Sequence, residues 1–278
     1  MPELPEVETL ARDLRWLAVG AEFSGVELLW PGAVAVPAPE ELARQLPGRK
    51  ILEVGRRGKF LVLSLSGPSY LLIHLRMSGQ VRVLDSASLP DRHARAILHL
   101  TDGRRLVFSD TRKFGRVYWV EDPALVVCDL GPEPLAEDTT PQKLAALLSG
   151  RKGALKPLLL NQRVLAGLGN IYADEALFAA RLHPLRRANT LSLEEIERLH
   201  AAIRQVLEQA IGNRGTTLRD ARFRDAQGQP GLNGESLSAY HHTGEPCPRC
   251  GTPIERSIVG GRGTHFCPCC QIEGPSWR

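Results

Sequence analysis

Near the N-terminus, apolar side chains recur at helical spacing: Val7, Leu10, Leu14 and Leu17 fall on one face, with Arg12, Asp13 and Arg15 among them. That period predicts an amphipathic helix. Pro5, Glu3 and Glu6 suit its first turn, where a missing N–H costs nothing and the helix dipole favours acids. From residue 22 to about 121 the pattern shortens into apolar runs at Val26–Leu29, Ile51–Val54, Phe60–Leu65, Tyr70–His74, Val81–Leu84, Ala96–Leu100, Arg105–Phe108 and Arg116–Val120. Turn signals such as Asp102-Gly103 and Ser66-Gly67-Pro68 separate them, which predicts short antiparallel strands in a sandwich or barrel. After the linker-like Gly131-Pro132-Glu133-Pro134 the period becomes helical again, over Leu144, Leu147 and Leu148, then Ile171–Leu182, then Leu193–Ile211. Ser192-Leu193-Glu194-Glu195 forms a capping box for the last of these. The Gly-, Asn- and Gln-rich stretch from Gly215 to Gly244 has no period and reads as a long functional loop.

At 278 residues the chain has room for two domains, each with its own core. It has no basic segment leading into an apolar stretch and no run of 18 apolar residues, so the expectation is a cytoplasmic protein with no membrane partner. Charge is uneven: residues 151–278 carry 17 Lys and Arg against 12 Asp and Glu, and residues 1–150 carry 18 against 19. A basic C-terminal half suits a polyanionic partner. Five of the six cysteines cluster at the end as Cys247, Cys250, Cys267, Cys269 and Cys270. C-x2-C, sixteen residues, C-x2-C is zinc-ligand spacing, since each tight turn offers two thiolates to a tetrahedral ion. The repeated spacing selects Cys267 and Cys270 as the second pair and leaves Cys269 spare. Cys128, in the apolar run Leu125-Val126-Val127-Cys128, reads as a small core residue.

Pro2 gives the first helix a second possible use. Once Met1 is trimmed, its ring nitrogen is a free secondary amine at the end of the chain, a potential nucleophile toward a sugar carbon, with Glu3 and Glu6 beside it. The plain alternative is that these residues only start a helix.

Four further segments bear on that choice: His74-Leu75-Arg76-Met77-Ser78-Gly79, Asp110-Thr111-Arg112-Lys113-Phe114-Gly115, Gly167-Leu168-Gly169-Asn170-Ile171-Tyr172-Ala173-Asp174-Glu175, and Arg262-Gly263-Thr264-His265-Phe266-Cys267. Together with Met1-Pro2-Glu3-Leu4-Pro5-Glu6-Val7-Glu8, and in this order, they make the chain resemble the formamidopyrimidine-DNA glycosylases, bacterial enzymes that remove oxidised purines from DNA. The resemblance implies an α+β architecture. An N-terminal helix and antiparallel β-sandwich (1–130) and a linker (131–140) precede a helix-two-turn-helix domain with a lesion-capping loop (141–240). A zinc hairpin (241–278) closes the chain.

The resemblance also implies roles. Pro2 attacks C1′ of the damaged nucleotide, and the strand is cut by β- and δ-elimination. Glu3 protonates the opening sugar, Lys59 sits close to the proline, Glu6 organises hydrogen bonds, and Arg262 meets phosphates and assists the second elimination. Extruding a nucleotide leaves a space that must be filled, for which Met77, Arg112 and Phe114 are the implied residues. Lys156 and Asn170 would hold phosphates, as would His74, His93 and Arg151. One zinc, on Cys247, Cys250, Cys267 and Cys270, would be structural, because four thiolates close its shell. The implied partner is duplex DNA with oxidised bases or abasic sites, bound by a monomer. Asn161 departs from the family, which more often has Asp there, and Leu232–Ser236 falls in the loop that covers the flipped base in relatives. Two rivals stand beside this reading. One is an endonuclease VIII-like glycosylase for oxidised pyrimidines, disfavoured by Leu4-Pro5-Glu6-Val7. The other is a non-enzymatic zinc-ribbon DNA-binding protein, which leaves Pro2-Glu3 and Lys59 without purpose.

Overall fold

The structure is a computed structural model that describes residues 1–218 and 223–273. By packing, the chain divides into two units, Met1–Cys128 with Ile211–Gly234, and Asp129–Ala210 with Glu235–Arg278.

In the first unit, α1 (Leu4–Leu17) buries Leu4, Val7, Leu10, Ala11 and Leu14 and leaves Arg12, Arg15 and Trp16 in solvent, as its 3.6-residue period requires. The chain continues through β1 (Phe23–Glu27), β2 (Val34–Val36), α2 (Pro39–Gln45), β3 (Ile51–Arg57), β4 (Phe60–Leu65), β5 (Ser69–His74), β6 (Gly79–Leu84), β7 (Ala94–Leu100), β8 (Arg105–Asp110) and β9 (Arg116–Val120). These strands form two sheets, ordered β1-β7-β8-β6 and β2-β9-β5-β4-β3. All neighbours run antiparallel except β2, which lies parallel to β9. One core joins α1 to both sheets, with Leu10 and Leu14 packed among Ile51, Leu63, Leu71 and Phe108. β2 and α2 are not announced by the sequence pattern, because each is too short to show a period and buries a single side chain, Val34 or Leu42.

Cys128 corrects an expectation. It follows α3 (Ala124–Val127), one turn with no buried residue, and it is exposed rather than part of a core. The segment Ile211–Gly234 packs with the first unit. Thr216 N donates to Glu6 Oε1 at 2.7 Å, and Arg214 holds Asp13 at 2.8 Å and Asp225 at 2.6 Å. Residues 219–222 of the Gly215–Gly244 stretch lie outside the described residues.

The second unit contains α4 (Pro141–Ser149), α5 (Leu155–Leu160), α6 (Asn170–Ala180), α7 (Leu193–Gly212, which ends in the first unit) and the hairpin of β10 (Glu255–Val259) and β11 (Arg262–Phe266). The capping box at α7 is present: Ser192 Oγ accepts from Glu195 N at 3.1 Å and Glu195 Oε2 from Ser192 N at 2.8 Å. Between α5 and α6 the chain makes its turns around Gln162. That side chain donates to Leu160 O, a carbonyl left over at the end of α5, and to Leu168 O, and accepts from Gly167 N in the loop that leads into α6. Among the described residues, no helix is long and apolar enough to cross a membrane.

Candidate active site and nucleic-acid interface

At the start of α1, Pro2, Glu3 and Glu6 are all buried. Glu6 Oε2 accepts from Glu3 N at 2.7 Å while its other oxygen accepts from Thr216 N. Both Glu6 oxygens therefore hold backbone, and the Glu3 carboxylate in turn accepts from the Glu6 backbone in a reciprocal capping box. Lys59 is 7% exposed and sits with Gly58 in the two-residue turn between β3 and β4, where Gly58 takes φ +56°. This turn is braced against α1: Arg56 Nε meets Glu8 Oε2 at 3.1 Å, and Arg56 Nη1 donates to Gly58 O at 3.3 Å.

His74, opposite Phe60 on β5, stacks edge-on to that ring at 4.5 Å. Burial, then the Arg76 and Lys59 cations, hold its imidazole down at about 3. It is neutral near pH 7, and because Nδ1 accepts from Arg76 N at 3.0 Å the ring proton belongs on Nε2. His74 can offer a phosphate one N–H but no charge. His93 is half-buried, with its backbone N–H on Asp91 Oδ1 at 2.6 Å and its ring beside Arg92.

Met77 lies in the β5–β6 turn and Arg112 and Phe114 in the β8–β9 turn. Arg112 and Phe114 are exposed, and the guanidinium lies 4.9 Å from the ring centroid. A large apolar ring left in solvent beside a cation is what a wedge into DNA requires.

In the second unit, Arg262 is exposed at the first position of β11, after a turn in which Gly260 and Gly261 both take positive φ, +57° and +74°. The adjacent Gly263 carbonyl accepts from Lys156 Nζ at 2.9 Å and from Asn170 Nδ2 at 2.9 Å. Lys156 corrects the sequence expectation. It is 0% exposed, its ammonium pairs with Asp174 Oδ1 at 2.6 Å, and it donates again to Thr264 Oγ1 at 2.9 Å. With three donors spent on protein, it holds the hairpin instead of meeting a phosphate. Asn170 likewise spends its amide N–H on the hairpin. Arg151 is exposed just after α4, with Nε on Leu147 O.

Asp174 and Glu175, to which the sequence reading gave no role, are buried braces of this unit. Asp174 Oδ2 accepts from His265 N at 2.9 Å, and Glu175 accepts three backbone N–H groups, from Ser238, Ala239 and Tyr240. Their place in the Asn170–Glu175 motif was the available signal. Replacing Lys156 with Met is expected to cost about 3–5 kcal/mol, because the buried Asp174 carboxylate loses its ammonium partner and keeps only His265. Adding Asp174→Asn should recover part of that loss, as thermal unfolding of the single and double variants will show.

The four sulfurs of Cys247, Cys250, Cys267 and Cys270 lie within 4.8 Å of one another. Three of the sulfur pairs are 3.9, 3.5 and 3.5 Å apart, close to the roughly 3.8 Å edge of a tetrahedron with Zn–S of about 2.3 Å. Backbone N–H groups of Arg249 and Cys270 point at sulfurs of Cys247 and Cys267, as thiolate ligands favour. The cluster fits one structural zinc. Cys269 is exposed and outside it.

Three family models match in succession: the formamidopyrimidine-DNA glycosylase N-terminal domain over residues 1–117, the H2TH domain of the same enzymes over 130–222, and a zinc finger found in FPG and IleRS over 244–272. A formamidopyrimidine-DNA glycosylase of Chloroflexus aurantiacus is 49% identical over 98% of both chains. This chain belongs to the formamidopyrimidine-DNA glycosylase family. The crystal structure of the MutM (Fpg) protein from Thermus thermophilus matches with a TM-score of 0.89 and 46% identity, covering 99% of this chain and 100% of that one. Lactococcus lactis Fpg in complex with an abasic site containing DNA matches at 0.91 and 36%, covering 97% and 99%. Other complexes of the Lactococcus protein hold Fapy-dG or oxidised-pyrimidine DNA.

Asn161 stands where the resemblance implied Asp. Asn161 Oδ1 accepts from Arg163 N at 3.0 Å, a local turn that needs only an acceptor oxygen, so the amide serves as well as a carboxylate. In the Leu232–Ser236 stretch, Asn233 is buried, donating to Thr216 Oγ1 at 3.0 Å and accepting from Asn213 Nδ2 at 3.2 Å.

Proposed function

We propose that this protein is a base-excision DNA glycosylase with abasic-site lyase activity, which removes oxidised purines such as 8-oxoguanine and formamidopyrimidines from duplex DNA. The observation that carries this reading is the buried Pro2-Glu3 start of α1, braced by Glu6, in a chain that aligns end to end with formamidopyrimidine-DNA glycosylases. The neutral Pro2 amine attacks C1′, forming an N–C bond as the sugar opens. Glu3 protonates the ring oxygen, and the base departs with the electrons of the glycosidic bond. The resulting iminium acidifies the neighbouring C2′ proton, and its loss expels the 3′ phosphate. A second elimination expels the 5′ phosphate, and hydrolysis of the imine frees Pro2.

Lys59, in the buried β3–β4 turn, is the residue proposed to keep the Pro2 amine neutral, since a cation placed close to an amine disfavours its protonated form. Met77, Arg112 and Phe114 occupy the space vacated in the duplex. Arg262 meets the phosphates, supported by the zinc hairpin. The protein works as a monomer in the bacterial cytoplasm.

Oxidised pyrimidines are the second reading, favoured by the Lactococcus relative solved with such DNA. Competition between labelled 8-oxoguanine duplex and unlabelled oxidised-pyrimidine duplex separates them. The expected outcome is a kcat/KM at least about tenfold higher for the purine, a preference of about 1.4 kcal/mol. Equal or reversed values would move the assignment to pyrimidines.

A further inference from the structure

Three side chains on two separate turns can fill one space only if the turns keep a fixed relation. Asp110, at the end of β8, is 1% exposed and has both carboxylate oxygens occupied. Oδ1 accepts from Ser78 Oγ and from Arg112 N at 3.0 Å, and Oδ2 accepts from Phe114 N at 2.8 Å and Gly115 N at 2.7 Å. Ser78 follows Met77 in the β5–β6 turn, and its oxygen also receives Arg112 N at 3.2 Å. Asp110 is itself pinned, its N–H on His93 O at 2.9 Å and its carbonyl receiving Arg95 Nε at 2.8 Å. Gly115 permits the approach, since a Cβ there would meet Phe108 Cζ at 2.5 Å and Asp110 Oδ2 at 3.2 Å.

We propose that Asp110, with Ser78, is the positioning residue that locks the Met77 turn and the Arg112–Phe114 turn into one unit for filling the space left by an extruded nucleotide. The inference rests on the reading above that those three side chains fill it. The carboxylate touches no substrate; it acts through the backbone of the residues that do. Four donors converge on two oxygens, which an anion satisfies and an amide does not. In Asp110→Asn one oxygen becomes an NH2 that faces two N–H or O–H donors, so half of the clasp turns repulsive while the side-chain volume is unchanged.

The test uses the zinc-loaded full chain and compares wild type, Asp110→Asn and Ser78→Ala. Hydrogen exchange of the Arg112, Phe114 and Gly115 amides is expected to accelerate about tenfold or more in Asp110→Asn. Excision of 8-oxoguanine from a duplex should fall on the order of 10²-fold, the usual consequence of a shift of about 1 Å in positioning groups. Cleavage of a preformed abasic site, which needs no base extruded, should fall at least about tenfold less than excision. Ser78→Ala keeps the three backbone bonds to Asp110 and frees only the Met77 turn, so its excision loss should be intermediate; it also serves if Asp110→Asn does not fold. Amides that exchange at wild-type rates in Asp110→Asn would overturn the proposal, as would excision and abasic-site cleavage falling by one common factor. If wild type acts on no lesion, the glycosylase reading fails, and the exchange rates still decide whether the clasp exists.

Discussion

Pro2→Gly is expected to lose both the borohydride-trapped adduct on an 8-oxoguanine duplex and strand cleavage, each by about 10²-fold or more. Glycine leaves an amine at the chain end, so the loss measures how that amine is held and how nucleophilic it is. The pyrrolidine ring fixes φ near −65° and is buried at the start of α1, which aims the nitrogen. Glycine frees that torsion and removes the ring that packs. Protein that keeps Met1 should behave like the variant, because an acylated proline nitrogen has no lone pair to give. An adduct from Pro2→Gly at the wild-type rate would mean either that the pyrrolidine ring is not needed or that another amine reacts, and mapping the trapped residue separates the two. In the second case Lys59, buried in the β3–β4 turn, is the residue to replace next.

Loss of zinc should have the second large effect. Structural zinc in small fingers is worth about 10–16 kcal/mol of apparent binding free energy, most of which is folding free energy. The cluster holds only a short hairpin, with a small core of Phe178, Ala239, Ile254 and the cysteines themselves. That core is too small to stand without metal. Cys250→Ser or exhaustive chelation is therefore expected to unfold the β10–β11 hairpin and release Arg262, abolishing strand cleavage while the N-terminal sandwich stays folded. Cys269→Ser should bind zinc at full stoichiometry and cleave normally. A Cys269→Ser protein that lost its metal while Cys267→Ser kept it would reassign the ligand.

Much of the site is legible because its codes are local. Two thiolates in one tight turn, a proline behind Met1, and an apolar residue every three or four positions each depend on backbone geometry within a few residues. The zinc ligands and the burial of Leu10 and Leu14 along α1 follow from such rules. The capping box at Ser192 and Glu195 is local in the same sense and forms as predicted. Resemblance to a family carried the roles that no local rule reaches, such as those of Lys59 and Arg262.

Lys156 and Cys128 show where local rules stop. A lysine is by default a solvated charge, and nothing in Leu155-Lys156-Pro157 says otherwise. Its partners are Asp174 and the Gly263 carbonyl, the latter 107 positions along the chain, and only their convergence makes a fully buried ammonium tolerable. Cys128 fails in the opposite direction, an apolar run whose single helical turn finds no surface to cover it.

By itself the sequence determined the long helices α1 and α7, most of the sandwich strands, the zinc-ligand spacing and the chemistry available at the N-terminus, because each is set by neighbours in the chain; the short β2 and α2 were not legible. The tertiary structure alone decided three things: that Glu6 takes the distant Thr216 N, that Lys156 supports the hairpin instead of facing DNA, and that Asp110 ties two turns together. Desolvation makes that division. Whether a charged side chain is a solvated contact or a buried brace depends on which distant groups replace its water, and those groups are brought to it only by folding.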